Sequence, residues 1–462
     1  APTFQWQSST DGMGWINIPG AASATLVFGP VQLADNGLHF RCVATNDNGI
    51  ASSGAALLTV GAAKWTNPAG GSWPVAGNWF ASAVADGSQM IGDFSTLDLT
   101  ADATVTLDGA RTIGGLRFAD TTPSNNWILA AGTAGPLTLT ASSGVPVIEV
   151  VNQTSTISAI LAGTQGLTKS GVGTLVLSGD NTLTGDISLT AGGLTLNSPN
   201  YNTYRGGQLN IHNGTTLTFS ASGGSNRYDI GGKTINFMPA GGGTMAINTG
   251  LNFVFTAANT VNSNGGAKNT ISGGAGMNLN SGKALTFNVT RGTDVDTDLL
   301  VSTYLWNTSG VITKTGNGIL TLSPTNTSTY TGGTAINGGR VIGTANSAFG
   351  SGTITLGATV DDAALYLGNR ADISNPVTVS AAGSGAVIIG GENTGTGANA
   401  TTYTGMLTLN RPVTISGEIA TDRLALEGRI TGNVGTLTVA GGGRTTFSNT
   451  TNNFVGDLVI SG

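Results

Sequence analysis

Apolar and polar residues alternate in short runs along most of this chain, and no helical period persists through any of them. The clearest run is residues 167–196, LTKSGVGTLVLSGDNTLTGDISLTAGGLTL. Leu175 and Leu177, then Ile187 and Leu189, fall two apart, so each pair points to one face while the intervening residues point to the other. This predicts strands over Thr174–Ser178 and Asp186–Thr190, closed by Gly, Asn and Asp turns. A unit so short cannot bury its own apolar face and must stack on others like it. The same alternation predicts strands at Ser95–Leu99, Thr104–Leu107, Leu137–Thr140 and Val147–Val151, and onward to Val413–Ile415 and Arg423–Leu426.

The unit recurs. Residues 312–342 read ITKTGNGILTLSPTNTSTYTGGTAINGGRVI, and Lys169, Gly171, Gly173 and Leu177 reappear at one constant offset as Lys314, Gly316, Gly318 and Leu322. After a two-residue insertion, Gly185 and Gly192 match Gly332 and Gly339. A worn third copy, residues 437–462, keeps Gly441, Gly443, Phe447, Gly456 and Asp457. Plainer coils must fill the wide gaps between copies. The strands are too irregular for propeller blades, and leucine-rich repeats would show helical stretches. The expected fold is all-β: a right-handed parallel β-helix over 127–462, each coil taking about 20 residues.

Residues 1–60 depart from this pattern. A Trp-bearing strand, an Ala34-Asp35-Asn36-Gly37 turn and a Cys-bearing strand resemble a bacterial immunoglobulin-like domain entered partway. Trp6 stands for the core tryptophan, Cys42 for the strand F cysteine and Leu57–Val60 for the end of strand G. Phe40 replaces the tyrosine of the tyrosine corner. Strands A and B have no counterpart; upstream sequence is the favoured expectation for supplying them, a neighbouring subunit the second, and an open, reduced sandwich the third. In residues 61–126 Trp65, Trp73 and Trp79 are spaced by Gly and Pro. They could stack on sugar rings, but the favoured expectation is a cap over the first coil, because an open β edge invites aggregation.

With KSGVGTLVLSG and KTGNGILTL in hand, the chain resembles the autotransporter-associated passenger repeat of large bacterial surface proteins, and the Trp-rich opening fits the same resemblance. What the resemblance implies is a secreted, surface-displayed β-helical stalk whose secretion element lies elsewhere.

Composition narrows the chemistry. Charged residues are 9% and Gly numbers 73, so the surface is polar through hydroxyls and amides. A net charge of −6 offers no basic footprint for nucleic acid. No apolar run reaches the length of a membrane span. One Cys and two His, His39 and His212, leave little for a zinc site or a catalytic base. Asp294, Asp296 and Asp298 alternate and form a weak calcium candidate. Leu299 and Leu305, however, occupy the places where an EF-hand loop needs Gly and an acid. With Arg291 they are also the one group on which a polysaccharide lyase or hydrolase could rest. Asp361 and Asp362 are adjacent and so face opposite ways along a strand. Asn-x-Ser/Thr triplets at Asn152, Asn213, Asn288 and Asn449 are what an Asn- and Thr-rich chain yields by chance. The expectation is a non-enzymatic segment of a stalk, fibre or adhesin without cofactors. Its partners are expected to be further copies of itself, head-to-tail or as repeats of one polypeptide, and surface glycans.

Overall fold

The computed structural model describes residues 2–461, apart from 11, 29–37, 48, 59–61, 134, 199–201, 222–225, 281, 295, 307–308 and 393–399. From Ala63 onward the chain winds as a parallel β-solenoid, with almost no helix. Two long ladders run its length. One starts at Ala63–Lys64, Gly87–Phe94 and Arg111–Phe118 and continues to Leu407–Leu409 and Ile430–Thr431. The other starts at Gly70–Ser72 and Ala103–Thr106 and continues to Asn433–Ala440 and Val455–Ser461. A third, shorter ladder appears in two blocks, Asn202–Tyr204 to Leu305–Trp306 and Asp372–Ile373 to Arg444–Phe447.

Period-two alternation builds the interior. Leu175, Leu194, Leu217, Met245 and Ile271 lie in one parallel register and are all buried. They form a column in which each side chain packs on the residue one coil above and one below, which is why one short strand cannot stand alone. Outward positions carry amide ladders. Ser188, Asn210, Asn236, Asn262 and Asn288 join through side-chain hydrogen bonds of 3.2, 2.9, 2.8 and 3.1 Å. Each amide satisfies its neighbour without needing a charge.

Coils are built from two strands or from three. Leu167 pairs with Ile187, 20 residues on, where only two strands make the coil. Val261 pairs with Phe287, 26 residues on, where a third strand is inserted. Among the described residues, neither 167–196 nor 312–342 contains a strand of the third ladder.

Three expectations change. Ser95–Leu99 is not a strand. The Asp93 carboxylate accepts from the Ser95 N–H, and Asp120 accepts from the Leu99 N–H, so side chains satisfy backbone that the alternation had assigned to a ladder. The segment 437–462 sits one face out of phase with the other copies. Thr174–Leu177 lies on the second long ladder, whereas Arg444–Phe447 lies on the third, because the third ladder widens that coil. At the N-terminus, Thr3–Ser9 and His39–Asn46 anchor one antiparallel sheet joined by Ile16–Asn17, Gly49–Ser52 and Ala56–Leu57. Trp6 pairs directly with Cys42 across the two long strands. Both are only half-buried, because among the described residues no second sheet covers them. The Ala34–Gly37 turn and the Thr59–Val60 end of strand G lie outside the described residues.

Candidate functional site

The repeat glycines and lysines form the densest internal polar construction. Leu167 and Lys169 are two apart on one strand, so the period that sends Leu167 inward sends Lys169 inward with it. Lys169 is fully buried, stacked in register between Ile148 and Leu189. Its ammonium reaches the corner that follows and donates to the carbonyls of Ser170, Gly171 and Gly173, each at 2.8 Å. A fourth acceptor, the Ala191 carbonyl at 3.1 Å, belongs to the same corner one coil on. Lys314 repeats the arrangement, donating to Thr315 (2.8 Å), Gly316 (2.7 Å) and, one coil on, Gly338 (2.9 Å).

The glycines make the cage. Gly171 and Gly316 both have φ of +76°, which aims their carbonyls inward at little steric cost. Gly192 and Gly339, with φ of +68° and +67°, turn the next corner so tightly that a Cβ would run into the carbonyls of Gly173 and Gly318. Burial pushes the Lys169 ammonium down to about 8 against the opposing pull of Glu149. It pushes Lys314 down to about 7 against that of Asp298. The motif is a structural one, in which a cation satisfies backbone groups that the corner leaves without partners.

Other corners are stapled alike by residues the repeat pattern did not single out. Arg411 donates to the carbonyls of Ser380 (3.0 Å), Gly357 (2.9 Å) and Gly385, tying successive coils. The buried Asn375 amide donates to Phe349 (3.3 Å), Gly350 (3.2 Å) and Gly352 (2.8 Å). A lysine at an inward alternation position was a legible signal. Arg411 and Asn375 lie in loops, where no period applies.

The acidic group does not converge. Asp298 is buried and committed: it accepts from Arg291 (2.8 and 2.9 Å), from the Gly292 N–H (2.7 Å) and from the Ile319 N–H (2.7 Å). Asp294 closes its own turn by accepting from the Asp296 and Thr297 N–H groups, which hold its carboxyl below the usual range. Among the described residues no group of three His, Cys, Asp or Glu side chains is placed to hold a metal ion. Of the calcium candidates Asp294, Asp296 and Asp298, the Asp294 and Asp298 carboxylates thus accept from groups of their own corner and of the next coil.

Trp65, Trp73 and Trp79 are 0%, 0% and 2% exposed, so no ring face is open to a sugar. Trp79 packs edge-on against Trp65 (5.0 Å) and Trp73 (4.9 Å), and all three lean on Phe94, which stacks on Phe118. Each indole N–H donates to a backbone carbonyl: Asn67, Ala85 and Trp73 in turn. On the outer side of the second ladder, the Arg340 guanidinium lies 3.6 Å over the Tyr366 ring and pairs with Glu392 (2.9 Å) and Glu418 (3.0 Å). Burial raises the Glu392 carboxyl despite Arg340. The Tyr366 ring lies flat over Gly390, where a side chain would collide with it.

Residues 167–196 and 312–342 match the passenger-associated-transport-repeat family. The chain is also 31% identical over 210 residues to the adhesin BmaC autotransporter of Brucella suis biovar 1 (strain 1330), which covers 46% of this chain. It spans 6% of that relative's length. No solved structure matches it. No helix among the described residues is long and apolar enough to cross a membrane. The chain is thus a parallel β-solenoid carrying two passenger-associated-transport repeats and similar, over part of its length, to a bacterial autotransporter adhesin.

Proposed function

We propose that this chain is a non-enzymatic segment of a long extracellular stalk, fibre or adhesin, displayed on a bacterial surface. The observation that carries the reading is the stack of parallel coils with two passenger-associated-transport repeats built into it. Each coil adds about 4.8 Å of length and is hydrogen-bonded to the next along two or three ladders, which resists both extension and proteolysis. Likeness to an adhesin supports surface display, and the self-satisfied Asn ladder supports a side wall that stays soluble without charge.

Coils join end to end in this reading. Val455–Ser461 pairs on one side with Asn433–Ala440 and leaves Val455, Leu458 and Ile460 exposed, an edge able to take up a strand of a neighbouring copy. The immunoglobulin-like sheet, with its half-buried Trp6 and Cys42, is the second joining surface. The test is imaging of the purified chain by negative-stain electron microscopy over a concentration series, beside display on a bacterial surface probed with antibody. Rods that lengthen with concentration and antibody binding on intact cells support the proposal. Rods of one length at every concentration remove end-to-end joining, and staining only after lysis removes surface display.

A further inference from the structure

Backbone carbonyls at the corners of this solenoid point inward in groups. Among the described residues, three of these groups are met by a basic side chain: Lys169, Lys314 and Arg411. Lys and Arg total 18 in 462 residues, so spending three of them on internal carbonyls is a large commitment. At the repeat corners the acceptors stand 2.7–3.1 Å from the ammonium nitrogen. An ammonium or potassium ion makes contacts of similar length with carbonyl oxygen. The charged groups near the cages are Glu149 for Lys169 and Asp298 for Lys314. Asp298 is committed to Arg291 and two backbone N–H groups, and Glu149 pairs with Arg117, so each carboxylate is engaged elsewhere. The cages are built from main chain. The motif glycines set their shape, and their last acceptor, Ala191 or Gly338, comes from the following coil.

We propose that each passenger-repeat corner is a monovalent-cation site made of backbone carbonyls, filled by the chain's own lysine ammonium, which thereby couples one coil to the next. The ammonium end of the coupling is local to the corner, while the lysine stem stands in the apolar column between Ile148 and Leu189 at Lys169. The ligand class is a primary ammonium with a short alkyl stem, and the lysine supplies it in tethered form.

Truncating lysine to alanine removes a propylammonium group, so n-propylammonium is the matching probe. The experiment measures thermal unfolding of the full chain and of Lys169→Ala, Lys314→Ala and Lys314→Met. Each is measured with n-propylammonium, n-propanol or tetramethylammonium at constant ionic strength. Both alanine variants are expected to unfold at lower temperature than the parent. They should recover part of that loss in a saturable way with n-propylammonium, and not with the neutral or bulky probes. Lys314→Met fills the stem's space without a cation and is expected to stay lowered with every probe. If an alanine variant does not fold alone, its refolding yield with and without n-propylammonium gives the same reading. Equal recovery by n-propanol, no recovery by any probe, or a parent-like midpoint for Lys314→Met would each overturn the proposal.

Discussion

At the scale of single residues, the repeat lysines show how burial and backbone demand oppose each other. An ammonium in an apolar column is costly, which is why its proton affinity falls, to about 8 at Lys169 and about 7 at Lys314. Three or four carbonyls offset that cost, and removing the donor leaves them without a partner. Lys314→Met is therefore expected to lower stability by about 1–3 kcal/mol, read from denaturant unfolding. The pH dependence follows from the same numbers. Both folded-state values lie below the unfolded 10.5, so the charged form is the penalised one. The penalty is complete below about pH 7 and is relieved as pH rises toward 10, where a neutral amine still donates two hydrogens. The parent chain should gain stability over that interval, and a Lys169→Met/Lys314→Met double variant should gain less. Trp73→Ala opens a void at the first coil and is expected to cost about 3–5 kcal/mol. No glycan affinity should disappear with it, a point that glycan-array binding of parent and variant checks.

Corners and loops belong to the scale of elements, and there glycine is not one thing. Gly192 and Gly214 share a φ of +68°. A Cβ at Gly192 meets the carbonyls of the coil beneath, whereas one at Gly214 meets open space. Gly214→Ala should cost about 1 kcal/mol for the backbone alone, and Gly192→Ala several times that, because the coil spacing itself must open. Paired unfolding curves decide it. The corner carrying Asp298 hangs on that carboxylate, so Asp298→Ala strands the Gly292 and Ile319 N–H groups and removes the ion pair of Arg291. A loss of about 3–5 kcal/mol is expected. Calorimetric titration of the parent with calcium should show no binding at this loop.

For the whole molecule, the stack predicts that protection from hydrogen exchange follows position along the axis. The coils from Leu137 to Ile430 have neighbours on both sides and should exchange slowly. Val455–Ser461, exposed throughout, should exchange fastest of the solenoid strands. Much of this architecture was legible in the chain alone. Period-two alternation in residues such as Leu175, Leu177, Ile187 and Leu189 demands a partner for every strand, and a recurring Lys-x-Gly-x-Gly unit demands stacking, so all-β and solenoid follow from local pattern. The strand starts at Leu137 and Arg423 were legible for the same reason. Where a carboxylate would go was not. Asp294, Asp296 and Asp298 look equivalent by spacing, yet Asp298 faces inward to Arg291 and two N–H groups while Asp294 caps its own turn. That division depends on which coil lies beside the loop. The phase of residues 437–462 was hidden likewise, since a third strand inserted upstream turns a familiar glycine spacing onto another face. Local pattern determined that coils form and stack, because alternation is a property of neighbours in sequence. Tertiary structure alone decided which carbonyls meet which side chain, because Lys169 and Ala191, or Arg411 and Gly357, come together only after the chain has travelled round the coil.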